Sequence, residues 1–519
     1  MVRDVRSYDV IGFGDEVNGV LALISAAREY RRRTKKYLRV LLMSKSSLQQ
    51  GIGGHLVRGG LAYLDRSQIE RELQISLGIS PFGEPVAIYK EFLQRAGVIS
   101  AALDPRKAHA ALKDMLREAG IDYLSQVKID SVIKEGQKIV SLVVPQGTYS
   151  GRQFIDATVN AELAQAAGVR KLKGFETFGL PESELPVTLV FETQGLSVTR
   201  LKELEFYYLK RFTNLADTEA QNLLLRAAGS DTKLAEQLRK DMVDSKGALK
   251  TLWTNYDSLD IRCFALSVTY HALRGKKLSF YETGVLLDKA NIAMLPQERL
   301  SWNALLFAVN ASEAEALARG AAKPTPKMIE EMAFIEKWLK GLGATTVTPA
   351  SELYIRHAGN VTGVVEPLTG SQMLMGGVPA REALGTFSYH FDVRGGIPGI
   401  GVKASAQGFT SVSFPKPVFN IGIQHALIKN VPNLAVVSPG SGFEGYASSA
   451  GRIVEFNVGV GQGVGIASII ALTSGRNLAD ISNLEVRNVL VETGQLSRIF
   501  GFSQTEVASK LERFESTIA

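Results

Sequence analysis

The first 43 residues constrain the fold more than any other stretch of the chain. Asp9 to Phe13 is a short, mostly apolar run with a β-branched pair, Gly14 to Gly19 follows it as a turn, and small and apolar residues dominate from Val20 to Tyr30. A second apolar run follows at Leu38 to Met43. Strand, turn, buried helix and strand in that order form the βαβ unit of a doubly wound parallel sheet, whose first turn is where such sheets bind a nucleotide. The spacing predicts an α/β protein that begins with its nucleotide site.

Gly51 to Gly60 carries Gly51, Gly53, Gly54, Gly59 and Gly60. It is too long for a hairpin turn, and its backbone is expected to approach another group closely. Pro105 to Ala119 reads as a helix, and Val127 to Ile133 with Ile139 to Val144 as a hairpin around Glu135 and Gly136, leading to a strand at Gln153 to Ala157. From about 175 to 430, strand signals at Val187 to Glu192, Leu278 to Leu287 and Leu305 to Asn310 interleave with long polar helices at Thr199 to Arg226 and Pro326 to Leu342. A buried strand returns at Asn433 to Ser438. Gly451 to Thr473 reads as a glycine-studded turn followed by a helix at Ile466 to Leu472, and Leu478 to Ala519 as a helical tail. The expected architecture is a Rossmann-type dinucleotide-binding domain over 1–174, an inserted α+β substrate or cap domain over 175–430, the returning part of the first domain over 431–476 and a C-terminal helical segment over 477–519.

With 519 residues, 45% of them hydrophobic, the chain is long enough to bury two or three cores. Its single cysteine, Cys263, excludes disulfides within the chain and thiolate metal sites, and Met1 to Tyr8 are charged where a secretory leader is apolar. Both features point to a reducing compartment, most simply the cytoplasm. The net charge of +7 is spread along the chain rather than gathered into a basic stripe with aromatics, which argues against nucleic acid. The one dense basic run, Arg31 to Lys36, falls at the end of the first helix, where cations suit the helix dipole. Apolar stretches such as Gly465 to Leu472 fall short of the roughly 20 residues of a membrane span. The six histidines include no pair at i, i+3 or i, i+4, so no metal site is expected. A homo-oligomer is left open.

An ordered set of motifs resembles the FAD-dependent oxidoreductase family, including its xanthan lyase-like members. Tyr8-Asp9-Val10-Ile11 with Gly12, Gly14 and Gly19 stands where that family binds the FAD pyrophosphate. Gly53-Gly54 and Gly59-Gly60 are similar to its glycine pairs beside the flavin. Phe154 to Thr158 with Leu163-Ala164 matches its return to the cofactor, and Asn433 to Val437, Arg452 and Gly461-Gln462-Gly463 match the segment beside the isoalloxazine ring. Lys128-Ile129 falls where the family's backbone meets the adenine. A weaker match, Tyr354-Ile355-Arg356 with Gly363, Tyr389 and Asp392, lies in the substrate region. The resemblance implies FAD as cofactor, a small-molecule substrate between the domains, and Arg452, His55 and Arg356 as candidate catalytic groups. Arg452 and a helix opening at Gly461 would favour negative charge on a reduced flavin.

The departures fall on cofactor contacts. With Gly14 and Gly19 as outer glycines, the position at which the backbone should approach the pyrophosphate is Glu16, with Asp15 beside it. Two carboxylates at a helix N-terminus suit the dipole as caps but repel a phosphate. Ser44 and Lys45 stand where the family has a ribose-binding acid, so that Lys45 is free to meet a phosphate. Val159-Asn160 and Ser438-Pro439 replace further family residues. Three readings follow: an FAD-dependent oxidoreductase using hydride transfer, a non-catalytic descendant of the fold that binds a partner without flavin, and an NADP-binding protein using Ser44 and Lys45. His55, His357 and His390 are each read either as proton-transfer groups or as hydrogen-bonded structural histidines.

Overall fold

The computed structural model describes residues 5–519; Met1 to Asp4, part of the charged N-terminal run, lie outside them. β1 (Val10–Phe13), α1 (Val17–Thr34), β2 (Val40–Met43), α2 (Gly54–Val57), β3 (Asp122–Leu124), β4 (Gln153–Asp156), β5 (Leu434–Val436) and α3 (Val454–Ser474) build the layer that the opening motif predicts. The five strands run parallel in the order β5-β4-β1-β2-β3. From β1 the chain crosses to β2 on one side and only later to β4 on the other, so the order reverses beside the β1 turn, the place where open α/β sheets bind ligands.

α1 and α3 lie side by side, and their glycines let the backbones touch. A Cβ at Gly461 would stand 2.7 Å from the Asn18 carbonyl oxygen, and one at Gly465 2.2 Å from that of Ala22. α3 is a single continuous helix from Val454 to Ser474, which corrects the reading of a turn at Gly451 onward with a helix beginning near Ile466. Gly461, Gln462 and Gly463 are therefore helix-interior residues. The glycines serve interhelix packing, and Gln462 bonds Gln495 at 3.0 Å. α3 is also long and apolar enough to cross a membrane, which the shorter stretches singled out in the sequence did not reveal, but 94% of its apolar window is buried inside the protein. It is the core helix of the layer.

The middle of the chain forms a six-stranded antiparallel sheet of Trp253–Thr254, Ser258–Asp260, Val285–Leu295, Arg299–Phe307, Val187–Gln194 and Thr346–Pro349, in that order. The helix expected over Thr199 to Arg226 is two, Val198–Thr213 and Thr218–Ala227, because Asp217 accepts the Ala220 N–H and starts the second. The strand expected from Leu278 begins only at Val285, since Phe280–Thr283 is a helical turn ended by Gly284 at φ +69. Two helices of the tail, Asn483–Glu492 and Thr505–Ile518, close the chain.

Gly465→Val should lower stability by about 1–3 kcal/mol or more, because backbone rather than a movable side chain opposes the new atoms. Gly341→Ala, in the exposed last turn of the Pro326–Leu342 helix with no atom near the new methyl, should raise it by up to roughly 0.5–1 kcal/mol. Urea midpoints test both. Burial pushes His271 down to about 4 and His425 to about 3, so both are neutral in the fold while the unfolded chain protonates near 6.5. Stability should fall as pH drops below about 6.5 and keep falling to about 4, where the His271 contribution is complete. The slope should be shallower in His425→Gln.

Candidate cofactor and substrate site

The β1 turn is built on glycine where its neighbours demand it. Gly14 has φ +97, and a Cβ there would lie 2.7 Å from the Ala157 carbonyl carbon and 2.8 Å from the Thr158 nitrogen. α1 then starts with Glu16 at its N-cap position, yet no side chain caps it and its first turn holds no acid. The expectation that Asp15 and Glu16 cap this helix is thus corrected, since both carboxylates bind elsewhere. Asp15 takes Arg58 on both oxygens, at 2.6 and 2.8 Å, and accepts the Ser44 hydroxyl at 2.9 Å. Arg58 also donates to Glu352 at 2.8 Å, and Ser46 donates to the same carboxylate at 2.5 Å. Arg58, Asp15 and Glu352 are all buried. Burial works against the guanidinium's charge, but Asp15 and Glu352 outweigh it and raise its pKa.

Glu16 reaches across to the glycine loop. Its carboxylate accepts the His55 backbone N–H at 3.2 and 3.3 Å and meets the His55 ring at Nδ1, 2.5 Å away. The contact is so close that a Cβ on Gly54 would stand 2.0 Å from Oε1. Lys45 is held by Glu162 at 2.8 Å and by the Ala318 carbonyl, which removes it as a free phosphate ligand. The Val127 N–H bonds the Ser44 carbonyl at 2.9 Å, which places Lys128-Ile129 near Ser44, with Lys128 exposed. Thr158 donates twice to Asp156 and accepts the Glu162 N–H, so its polar groups are engaged within its own loop. Gly14, Glu16, Ser44, Lys45 and Thr158 border a cavity of about 60 Å³ that the Ala318–Ala322 stretch covers.

A second cluster surrounds Tyr354, where the two sheets meet. His55 stacks on its ring at 5.0 Å, the Arg356 guanidinium lies 4.5 Å from the ring centroid, and Arg452 donates to its hydroxyl at 3.1 Å. Arg452 pairs with Asp392 at 2.5 Å and Asp65 at 3.4 Å. Burial opposes its charge, but Tyr354, Tyr389, Asp392 and Asp65 together raise its pKa. Arg356 differs. It is 1% exposed and bonds the Pro186 carbonyl and the Thr188 hydroxyl, each at 2.8 Å, with no carboxylate partner among the described residues. Burial pushes it down to about 10, so it stays charged at neutral pH. His55 Nε2, Arg356 Nε and Arg452 Nε are buried without hydrogen-bond partners. The other two histidines separate: His357 is buried with its ring nitrogens on Glu184 and Asn360, whereas His390 stacks on Tyr389 and bonds Gln68.

The family model described as FAD dependent oxidoreductase matches residues 9–490. The chain belongs to that family. Among solved structures it is similar to L-proline dehydrogenase from P. horikoshii, at 11% identity over 95% of this chain and 100% of that one, with a TM-score of 0.35. It is also similar to NikD, an unusual amino acid oxidase essential for nikkomycin biosynthesis, at 10% identity over 92% and 97%, with a TM-score of 0.38. At these scores the likeness does not extend to their reactions or substrates. A comparison with curated proteins finds no match.

FAD is the cofactor of this oxidoreductase family, and the chain keeps part of what a pyrophosphate requires: the Gly14 turn and first-turn α1 amides without a side-chain cap. The side chains as placed do not fit it. Glu16 fills the space against Gly54, and about 60 Å³ is left where pockets for small-molecule ligands measure roughly 300–1,000 Å³. The functional groups that sequence reasoning missed are Arg58, Glu352 and Glu162. Arg58 carried a signal, as the one cation of a glycine loop facing two adjacent acids, whereas Glu352 lies about 300 residues away and carried none. Arg58→Met should cost about 3–5 kcal/mol in chemical denaturation, because it strands two buried carboxylates; a loss within 1 kcal/mol would contradict the network.

Proposed function

We propose that this member of the FAD-dependent oxidoreductase family acts on a small organic acid, with Arg356 receiving the carboxylate of the substrate. The observation that carries the reading is the buried Arg356 charge without a carboxylate partner. A buried guanidinium is ordinarily paired, as Arg58 and Arg452 are, because an isolated charge in a low-dielectric interior is costly. Supporting it are the unpartnered Nε–H groups of Arg356 and Arg452 beside Tyr354, donors suited to an anion with oxygen acceptors. Tyr354 orients the cluster, since three groups meet its ring or hydroxyl, and Asp65 and Asp392 fix Arg452.

The test uses the full chain with excess FAD, mixed anaerobically with 2-hydroxy acids and α-amino acids and with the corresponding amides or alcohols. Loss of the visible flavin absorption should occur with acids and not with their uncharged counterparts. For the acid that reacts, Arg356→Lys should raise KM by about ten-fold or more, given the bidentate geometry lost, while Arg356→Met should abolish turnover yet melt no lower than the native chain. An Arg356→Met variant with native KM would sink the assignment.

A further inference from the structure

Glu16 occupies the position in the turn that a dinucleotide leaves to glycine, and its carboxylate does none of the work an N-terminal acid ordinarily does for its own helix. It is held instead by the glycine loop, through the His55 amide, the His55 ring and close contact with Gly54 at φ +50. Two negative oxygens thus stand between the glycine loop and the turn at which the family binds the pyrophosphate. The neighbouring charges do not offset a further anion. Asp15 and Glu352 share Arg58, and Lys45 is taken by Glu162.

We propose that Glu16 is an internal ligand of the dinucleotide site: its carboxylate holds the place of the pyrophosphate, and FAD is admitted only when the Glu16–His55 pair opens. The Gly14 backbone and the free amides of α1 are kept, so what opposes the cofactor is one side chain and its charge rather than a lost fold. The backbone cradle would accept a pyrophosphate from which Glu16 has withdrawn. The inference concerns the β1 turn alone and does not depend on the role assigned to Arg356.

Calorimetric titration of the full chain with FAD, ADP and AMP tests it. Glu16→Gly should bind FAD and ADP about 10–100-fold more tightly than the native chain, the range expected when a like charge is removed from beside a phosphate. AMP, which has no pyrophosphate, should gain little. Glu16→Gln, which keeps the size and loses the charge, should fall between. Glu16→Ser serves as a second small variant, and thermal melting of each without ligand establishes that it is folded. Equal affinities for FAD in the native, Gly, Ser and Gln forms would overturn the proposal, as would an equal gain for AMP. Failure of acid turnover with FAD bound would count against the Arg356 assignment and leave this result untouched.

Discussion

The buried pairing of Arg58 with Asp15 and Glu352 is the interaction on which the arrangement of the site depends. It joins three parts of the chain that are far apart in sequence: the β1 turn, the glycine loop and the segment after the antiparallel sheet. Three ionised groups are taken out of water together, so the network holds only because Ser44, Ser46 and the Gly51 carbonyl complete its hydrogen bonds. With Asp15 fixed this way, the turn is rigid and Glu16 is left to face the loop. The local sum of charge is negative, an unusual setting for a family whose cofactor is itself an anion.

The fold was legible because its signal is local. The βαβ opening, the helices at Pro105–Ala119 and Pro326–Leu342 and the hairpin near Glu135 rest on period and turn chemistry within windows of a few residues, and they stand where the sequence puts them. The errors have a shared cause. Glycines in α3 read as a turn because, taken alone, glycine disfavours a helix, whereas here it permits the contact with α1 that stabilises both. The site was half legible: Glu16, Ser44 and Lys45 stand out as departures from a pattern, but Glu162 and the Ala318 carbonyl, which hold Lys45, and Glu352, which holds Arg58 and Ser46, come from tertiary structure. Likewise, that Arg356 lacks an acid and Arg452 has two is a fact of packing that no spacing reveals.

The junction of the two sheets concentrates cations that differ in their compensation. Arg452 is neutralised twice and Arg394 is paired with Asp288, while Arg356 depends on neutral acceptors and the face of Tyr354. A protein can maintain such an imbalance because hydrogen bonds to a carbonyl and a hydroxyl offset part of the desolvation. What they leave unbalanced is a standing attraction for an anion.

The backbone contact between α1 and α3 also bears on the birth of the protein. Its partners, Ala22 and Gly465, are separated by most of the chain, so α1 emerges early in synthesis with its apolar faces uncovered and has to wait for α3 to be made. Contacts of such long sequence separation form slowly, and exposed apolar surface invites aggregation in the interval. The nucleotide layer, first in sequence, is therefore among the last parts to close, and a nascent chain lacking its final quarter has no finished place for a cofactor.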